Sequence, residues 1–388
     1  MATSACPATQ RSRSSADVSS RSLVAATVAA ALATGVAACG SSSNDNSSST
    51  TANGASSSSG SSVKATLNGA GSTFAAPIYQ QVGSDLKGQG LTINYQGVGS
   101  GAGVSQFSAG TVDFAGSDPA LTADDKATIK KGEPIQIPFA LGAITASYNL
   151  NGVKSGLKLD GATLAKIYLG TIKTWDDPAI KALNGGMTIP STKITVVHRS
   201  DSSGTTKGFT GFLAAYSPEW KSGPGVDKDI KWPTGTGAKG NDGVAAAVKQ
   251  TDGAIGYVEQ AYALQNGFTF ADVKNKSGAF VAPTLESTSA AADGIDIPTD
   301  LGVSTIDSPN AKAYPIVSQT FAITYADPCK AGMDATKAKG LKAMMSYLLG
   351  AGQDTIKKLS YAPIPDSLKA KDQAAVDAMQ CNGAAIGS

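Results

Sequence analysis

The sequence holds few of the residues on which enzyme chemistry usually rests. Among 388 residues there are one histidine, His198, and four cysteines without a C-x-x-C pair, which gives no plausible ligand set for a metal. No G-x-S-x-G elbow occurs to carry a hydrolase nucleophile. Nucleotide-binding loops fail on inspection. Lys207 is followed by Gly208 and lacks the upstream glycine of a P-loop, and Phe74 and Ala102 stand where the two G-x-G stretches need a third glycine. Charged residues make up only 16%, and after the first forty positions no apolar run approaches the ~20 residues of a membrane span.

What is present begins with a leader. Arg11, Arg13 and Arg21 precede an apolar run from Leu23 to Ala38, which reads as a secretory signal over 1–38. The run ends in "VAAC", and a cysteine directly after small residues resembles the bacterial lipobox, which implies cleavage before Cys39 and its acylation; the alternative is an ordinary signal with an incidental cysteine. Residues 39–62 are rich in Ser, Gly, Thr and Asn with almost no charge, so they are expected to tether a domain to a membrane as a flexible coil spanning about 25 Å. Loss of 1–38 removes three arginines against Asp17 alone, so the 32 basic and 30 acidic residues fall to 29 of each. A neutral chain has no basic stripe for nucleic acid and must hold any anion locally. Cys329 and Cys381 are then left as a disulfide pair in an oxidising exterior, or as two free thiols.

From Val63 onward, strands alternate with amphipathic helices, the signature of an α/β fold. A helix with the stripe Phe74, Ile78, Val82 and Leu86 is predicted after a first glycine turn, capped by Ser72 or Thr73. A strand at Leu91–Tyr95 leads through glycines to a short helix over Val104 and Phe107, and a further strand stops at Asp118 before Pro119. "KITVVHR" then runs into a helix whose apolar face is Phe209, Phe212, Leu213 and Tyr216, which places Ser203, Gly204 and Thr205 at its N-terminus. Three such turns offer unpaired N–H groups to an anion. Two long β-prone runs, Ile135–Leu150 and Tyr314–Ala326, lie half a chain apart and suggest two lobes with a cleft. The stretch from Ser287 to Pro309 reads only as loop plus short helix.

"VVHRSDSSGTTKGF" (Val196–Phe209) carries the lone histidine. A hydrolase would use Ser202 or Ser203 as nucleophile, His198 as base and Asp201 as orienter, but three residues in one turn cannot easily line up. His198 and Arg199 are strand neighbours and should face opposite ways. An anion grip uses the stretch without strain: Arg199 as a bidentate fork, Ser203 and Thr205 as hydroxyl donors, backbone N–H groups beside them, and Asp201 holding the guanidinium. A solvated turn with a surface ion pair explains this stretch alone equally well.

Four segments together resemble the phosphate-binding proteins of bacterial high-affinity phosphate ABC transporters: "GAGSTFAAPIY" (Gly69–Tyr79), "NYQGVGSGAGV" (Asn94–Val104), "VDFAGSDPAL" (Val112–Leu121) and "HRSDSSGTT" (His198–Thr206). Supporting stretches are "LDGATLAKIYLGTIKTWDDPAI" (Leu159–Ile180), "AKGNDGVAAAV" (Ala238–Val248), "GAIGYVEQAYA" (Gly253–Ala263) and "SYAPIPDS" (Ser360–Ser367). The likeness runs in order from about Leu67 to Leu368. It implies a two-lobed periplasmic-binding-protein fold of type II, with two crossover strands, closing over one phosphate. Lobe I is expected over 64–145 plus 285–388 and lobe II over 146–284. The resemblance implies phosphate ligands at Thr73, Phe74, Ser100, Asp118, Arg199, Ser203, Gly204 and Thr205, with Asp201 in support and no catalytic residue, metal or cofactor. Implied partners are a membrane permease and a separate ATPase, with the protein lipid-anchored outside the cytoplasmic membrane.

Asp118 is odd in an anion site unless the ligand carries a proton. A protonated phosphate donates O–H to it, whereas sulfate sets lone pair against lone pair, at a cost of a few kcal/mol or roughly a hundredfold. The plain alternative is an Asx turn before Pro119. Receptors for sulfate, molybdate or a phosphonate, and a secreted hydrolase, are the rival functions.

Overall fold

The computed structural model describes residues 63–387; the expected signal segment, Cys39 and the tether over 39–62 lie outside them. The chain opens with parallel strands β1 (Ala65–Gly71) and β2 (Leu91–Gly97), joined by helix α1 (Ala76–Lys87). Helix α2 (Ser100–Ala109) leads back to β3 (Phe114–Ser117), parallel to β1 on its other side. Alternating βα units of this kind bury one face of each helix on the sheet, and α1 does so through Ile78, Tyr79, Val82 and Leu86.

Strand β4 (Pro134–Asn149) has 16 residues, nearly all buried, long enough to span roughly 50 Å. Past it the chain forms β5 (Thr195–Arg199), helix α3 (Gly204–Tyr216), β6 (Thr236–Ala238), helix α4 (Gly240–Gln250), β7 (Ala254–Glu259) and the short β8 (Thr269–Phe270). Strand β9 (Val317–Tyr325) returns to the first strands. All nine belong to one sheet, ordered β2-β1-β3-β9-β4-β7-β5-β6, with β8 also against β4. The first part of β4, Pro134–Ala143, pairs antiparallel with β9, while Ile144–Asn149 pairs with β7. One strand therefore joins the two parallel groups, and its lack of polar alternation follows from burial on both faces.

Two aromatic clusters flank this strand. Tyr79, Tyr95, Phe114 and Phe139 pack together on the β1–β3 side. On the β5–β7 side Phe209 stacks on Tyr257 at 4.5 Å and Trp232 on His198 at 4.7 Å. Cys329 and Cys381 form a disulfide, which ties the C-terminal hairpin to the loop after β9. Among the described residues no helix is long and apolar enough to cross a membrane.

One local expectation needs correction. Neither Ser72 nor Thr73 caps α1; its N-cap is Ala75, with Pro77 in the first turn. A helix started at Ser72 would put Pro77 in its second turn, where the missing N–H and the ring clash break the ladder. Thr73 and Phe74 are thereby left in the turn that precedes the helix. After the short helix Leu285–Ala290, the stretch 291–316 is irregular, and Leu301 and Asp307 adopt positive φ.

Candidate functional site

The carboxyl ends of β1, β3 and β5 and the N-termini of α2 and α3 converge on one buried point. Thr73 and Phe74 follow β1, Ser100 is the first residue of α2, and Asp118 directly follows β3. Arg199 ends β5, Ser203 is the N-cap of α3, and Gly204 and Thr205 form its first turn. Every one of these residues is buried, Asp118 and Arg199 to within 1% and 3% exposure. All the residues expected to bind the anion are thus brought together, from segments more than a hundred positions apart.

The N–H groups at this point are unspent. Among the described residues, the amides of Thr73, Phe74, Ser100, Gly204 and Thr205 donate to no backbone or side-chain acceptor, whereas Thr206 N is taken by the Ser203 cap at 3.1 Å. Buried amides of globular proteins are nearly always paired, so five together mark a place for an acceptor. Two of the three turns are the first turns of helices, where the dipole adds to the pull on an anion.

Arg199 supplies fixed positive charge. Its Nε and Nη2 bond Asp201 Oδ1 and Oδ2 at 2.7 and 2.5 Å, the bidentate geometry of a locked guanidinium. Nη1 points the other way, to Thr205 Oγ1 at 3.5 Å. Burial would raise the Asp201 carboxyl, but the Arg199 hydrogen bonds and charge, with the Gly240 N–H at 3.0 Å, hold it below the usual carboxylate range. Tyr257, stacked on Phe209, accepts the Arg199 N–H at 3.0 Å and fixes the strand end. His198 points away from the Arg199 side chain, bonds only the Arg199 carbonyl through Nδ1 at 2.9 Å and stacks on Trp232; burial lowers its pKa, so it is neutral near pH 7 and takes no part in the charge balance.

Asp118 sits opposite with hydroxyl and amide company only. Ser72 and Thr320 donate to Oδ1 at 2.5 and 3.1 Å, and Ser100 to Oδ2 at a long 3.4 Å. Burial raises its carboxyl to about 6 against the lowering effect of those bonds and of the Arg199 charge. Oδ2 is the less engaged oxygen, and it lies beside α3: a Cβ on Gly204 would come within 2.5 Å of it and 2.6 Å of Ser100 Oγ. Glycine is required there by the close approach of the two sides. Gly99, at φ +92°, is required likewise, since a Cβ would meet Asp201 Oδ2 at 2.6 Å.

Several site residues escaped the sequence reading. Ser72 and Thr320 hold Asp118, and Asn241 on α4 donates to Thr73 Oγ1. "GSTF" offered two neighbouring hydroxyls, and only the turn decides that Ser72 faces Asp118. Thr320 lies in a uniformly buried strand, with no pattern to single it out. Asn241 stood in the stretch "AKGNDGV", and its position as the second residue of a helix was the available signal. Among the described residues no group of three or more His, Cys, Asp or Glu side chains comes together as a metal site.

Comparison with known proteins converges on one group. Residues 30–351 match the PBP superfamily domain. A phosphate-binding protein PstS of Pasteurella multocida is 40% identical over 316 residues, covering 80% of this chain and 89% of that one. The phosphate-binding protein PstS 3 of Mycobacterium tuberculosis is 39% identical over 329 residues, covering 81% and 87%. Among solved structures, a high-affinity periplasmic phosphate-binding protein bound with phosphate superposes with a TM-score of 0.64 at 26% identity, covering 80% of this chain and 93% of the other.

Proposed function

The chain belongs to the PstS phosphate-binding proteins of the PBP superfamily, and from that premise we propose that it binds one inorganic phosphate in the buried site and delivers it to an ABC-type import permease. The observation that carries the reading is the pairing, within one buried site, of five unspent N–H groups and Arg199 with a single proton acceptor, Asp118. Donors alone suit any tetrahedral oxyanion; the acceptor suits one that still carries a proton.

Thr73, Phe74, Ser100, Arg199, Ser203, Gly204 and Thr205 donate to the phosphate oxygens, Asp118 accepts the phosphate proton, and Asp201 keeps the Arg199 fork in place. Residues 64–145 with 285–388 act as one lobe and 146–284 as the other, hinged through β4 and β9, so that release to the permease follows opening. No bond of the phosphate is broken; transport energy comes from a separate ATPase. Cys39 carries the lipid that holds the protein to the outer face of the cytoplasmic membrane.

Titration calorimetry with phosphate, alone and against excess sulfate, tests the proposal. Tight one-to-one binding that sulfate leaves unchanged is expected. Equal competition by sulfate makes the protein a general oxyanion receptor, and turnover of a phosphate ester makes it a hydrolase. Retention of a Cys39→Ser protein on membranes would overturn the anchor.

A further inference from the structure

Asn241 has no assigned part in phosphate binding, yet it is fully buried at the centre of the site. We infer that Asn241 is a positioning residue that compels the Thr73 and Thr205 hydroxyls to donate, so that the site presents hydrogens rather than lone pairs to the anion; this rests on the phosphate-binding reading.

The orientation of its amide is fixed. Asn241 Oδ1 accepts the Glu259 N–H at 2.9 Å, and an amide oxygen spent there leaves Nδ2 facing the other way. Nδ2 meets Thr73 Oγ1 at 2.9 Å and Thr205 Oγ1 at 3.4 Å, and the Asn241 backbone N–H also donates to Thr73 Oγ1 at 3.2 Å. A hydroxyl has one hydrogen and two lone pairs. Two donors on Thr73 Oγ1 engage both lone pairs, so its hydrogen has to point away from Asn241. Thr205 Oγ1 is placed in the same way between Asn241 Nδ2 and Arg199 Nη1.

The opposite sorting holds across the site, where Ser72 and Thr320 spend their hydrogens on Asp118. Hydroxyls, which can present either sign, are therefore divided into two sets by their neighbours. The amide also links Thr73, after β1, to Thr205, at the start of α3, so the two hydroxyls acquire their direction together.

The test is a double-mutant cycle between Asn241→Ala and Thr73→Val, read as phosphate affinity by calorimetry on the full chain. Asn241→Ala removes the side-chain donor and should weaken phosphate binding about ten- to a hundredfold. In the Thr73→Val background, where the oriented hydroxyl is gone, the same change should cost about threefold or less. Thr73→Ser, which keeps the hydroxyl, should keep the full sensitivity. Equal fold-losses in both backgrounds overturn the inference and leave Asn241 a packing residue. Asn241→Asp is nearly isosteric and can accept the Thr73 hydrogen, so it should bind phosphate more weakly than Asn241→Ala. Binding equal to or better than that of the alanine variant also overturns the inference; where the alanine variant fails to fold, Asn241→Asp is read against wild type, and phosphate binding within about threefold of wild type overturns it. Tight wild-type binding with additive losses refutes only this role, whereas absence of wild-type phosphate binding refutes the reading beneath it.

Discussion

Asp118 and Asp201 share one buried site, and the protein holds them in opposite ways. Asp201 is clamped on the Arg199 fork, so its charge is matched and its carboxyl is pulled below the ordinary range. Asp118 has hydroxyls and no cation in contact, so burial dominates and its carboxyl rises to about 6. One carboxylate is consumed in fixing a donor and presents nothing to the ligand. The other keeps a lightly engaged oxygen, which the proposed reading assigns to the ligand's own proton. Residue type is the same at both ends; the neighbours set the role.

Breaking the donor end should cost most. Arg199→Ala strands Asp201 half-buried without its partner and removes the only guanidinium among the described residues, and a buried pair broken on one side costs about 3–5 kcal/mol. Phosphate affinity should fall a hundredfold or more in calorimetry, and a loss under fivefold would mean that Arg199 is not the grip. Closing the gap between the ends comes next. Gly204→Ala drives a methyl against Asp118 and Ser100, so it should weaken phosphate binding about ten- to a hundredfold through overpacking of about 1–3 kcal/mol.

The acceptor end is tested by selectivity rather than affinity. Asp118→Asn should admit sulfate, with discrimination falling by about a hundredfold, and unchanged discrimination removes Asp118 from its role. Wild-type protein should show the same relaxation as pH drops below about 6, because a protonated Asp118 can donate to sulfate. Sulfate competition that is flat from pH 8 to 5 contradicts this.

Stability of the ligand-free protein carries the sign of each end. The folded Asp118 value, about 6, lies above the unfolded value of ~3.9, so its contribution is fully present below about pH 4 and is lost as pH rises through about 6, on the order of 2–3 kcal/mol. Asp201, depressed, contributes in the opposite sense: its stabilisation is present above the unfolded value and is lost as pH falls through the folded one. In denaturant titrations between pH 4 and 7, the pH dependence of the difference between wild type and Asp118→Asn should report the Asp118 titration, because the other buried acids, Glu259 and Asp372, are common to both; a difference that is flat with pH contradicts it. The smallest effect on binding should come from the disulfide. Replacing Cys329 and Cys381 by serine opens a 52-residue separation, costs about 2–4 kcal/mol of stability, and should leave phosphate affinity within about twofold.

Much of the site could be read in the chain because its donors come from local chemistry. Ser203, Gly204 and Thr205 were placed by the period of Phe209, Phe212 and Leu213, which are buried on α3, and that helix starts where the spacing requires. Arg199 and Asp201 are two residues apart, so their pairing is nearly a local property. The start of α1 was misjudged because the pull of Pro77 into the first turn outweighs the capping preference of Ser72 and Thr73.

By itself, then, the sequence determined the α/β alternation, the anion-seeking turns and the fork of Arg199, since each depends on hydrophobic period or on residues within a few positions. Tertiary structure alone decided which lone pairs and hydrogens the buried site presents. Ser72 lies 46 positions from Asp118, Thr320 lies 202 positions from it, and Asn241 lies 168 from Thr73. A hydroxyl carries no intrinsic sign as donor or acceptor, so its direction is fixed only when folding sets a partner against it.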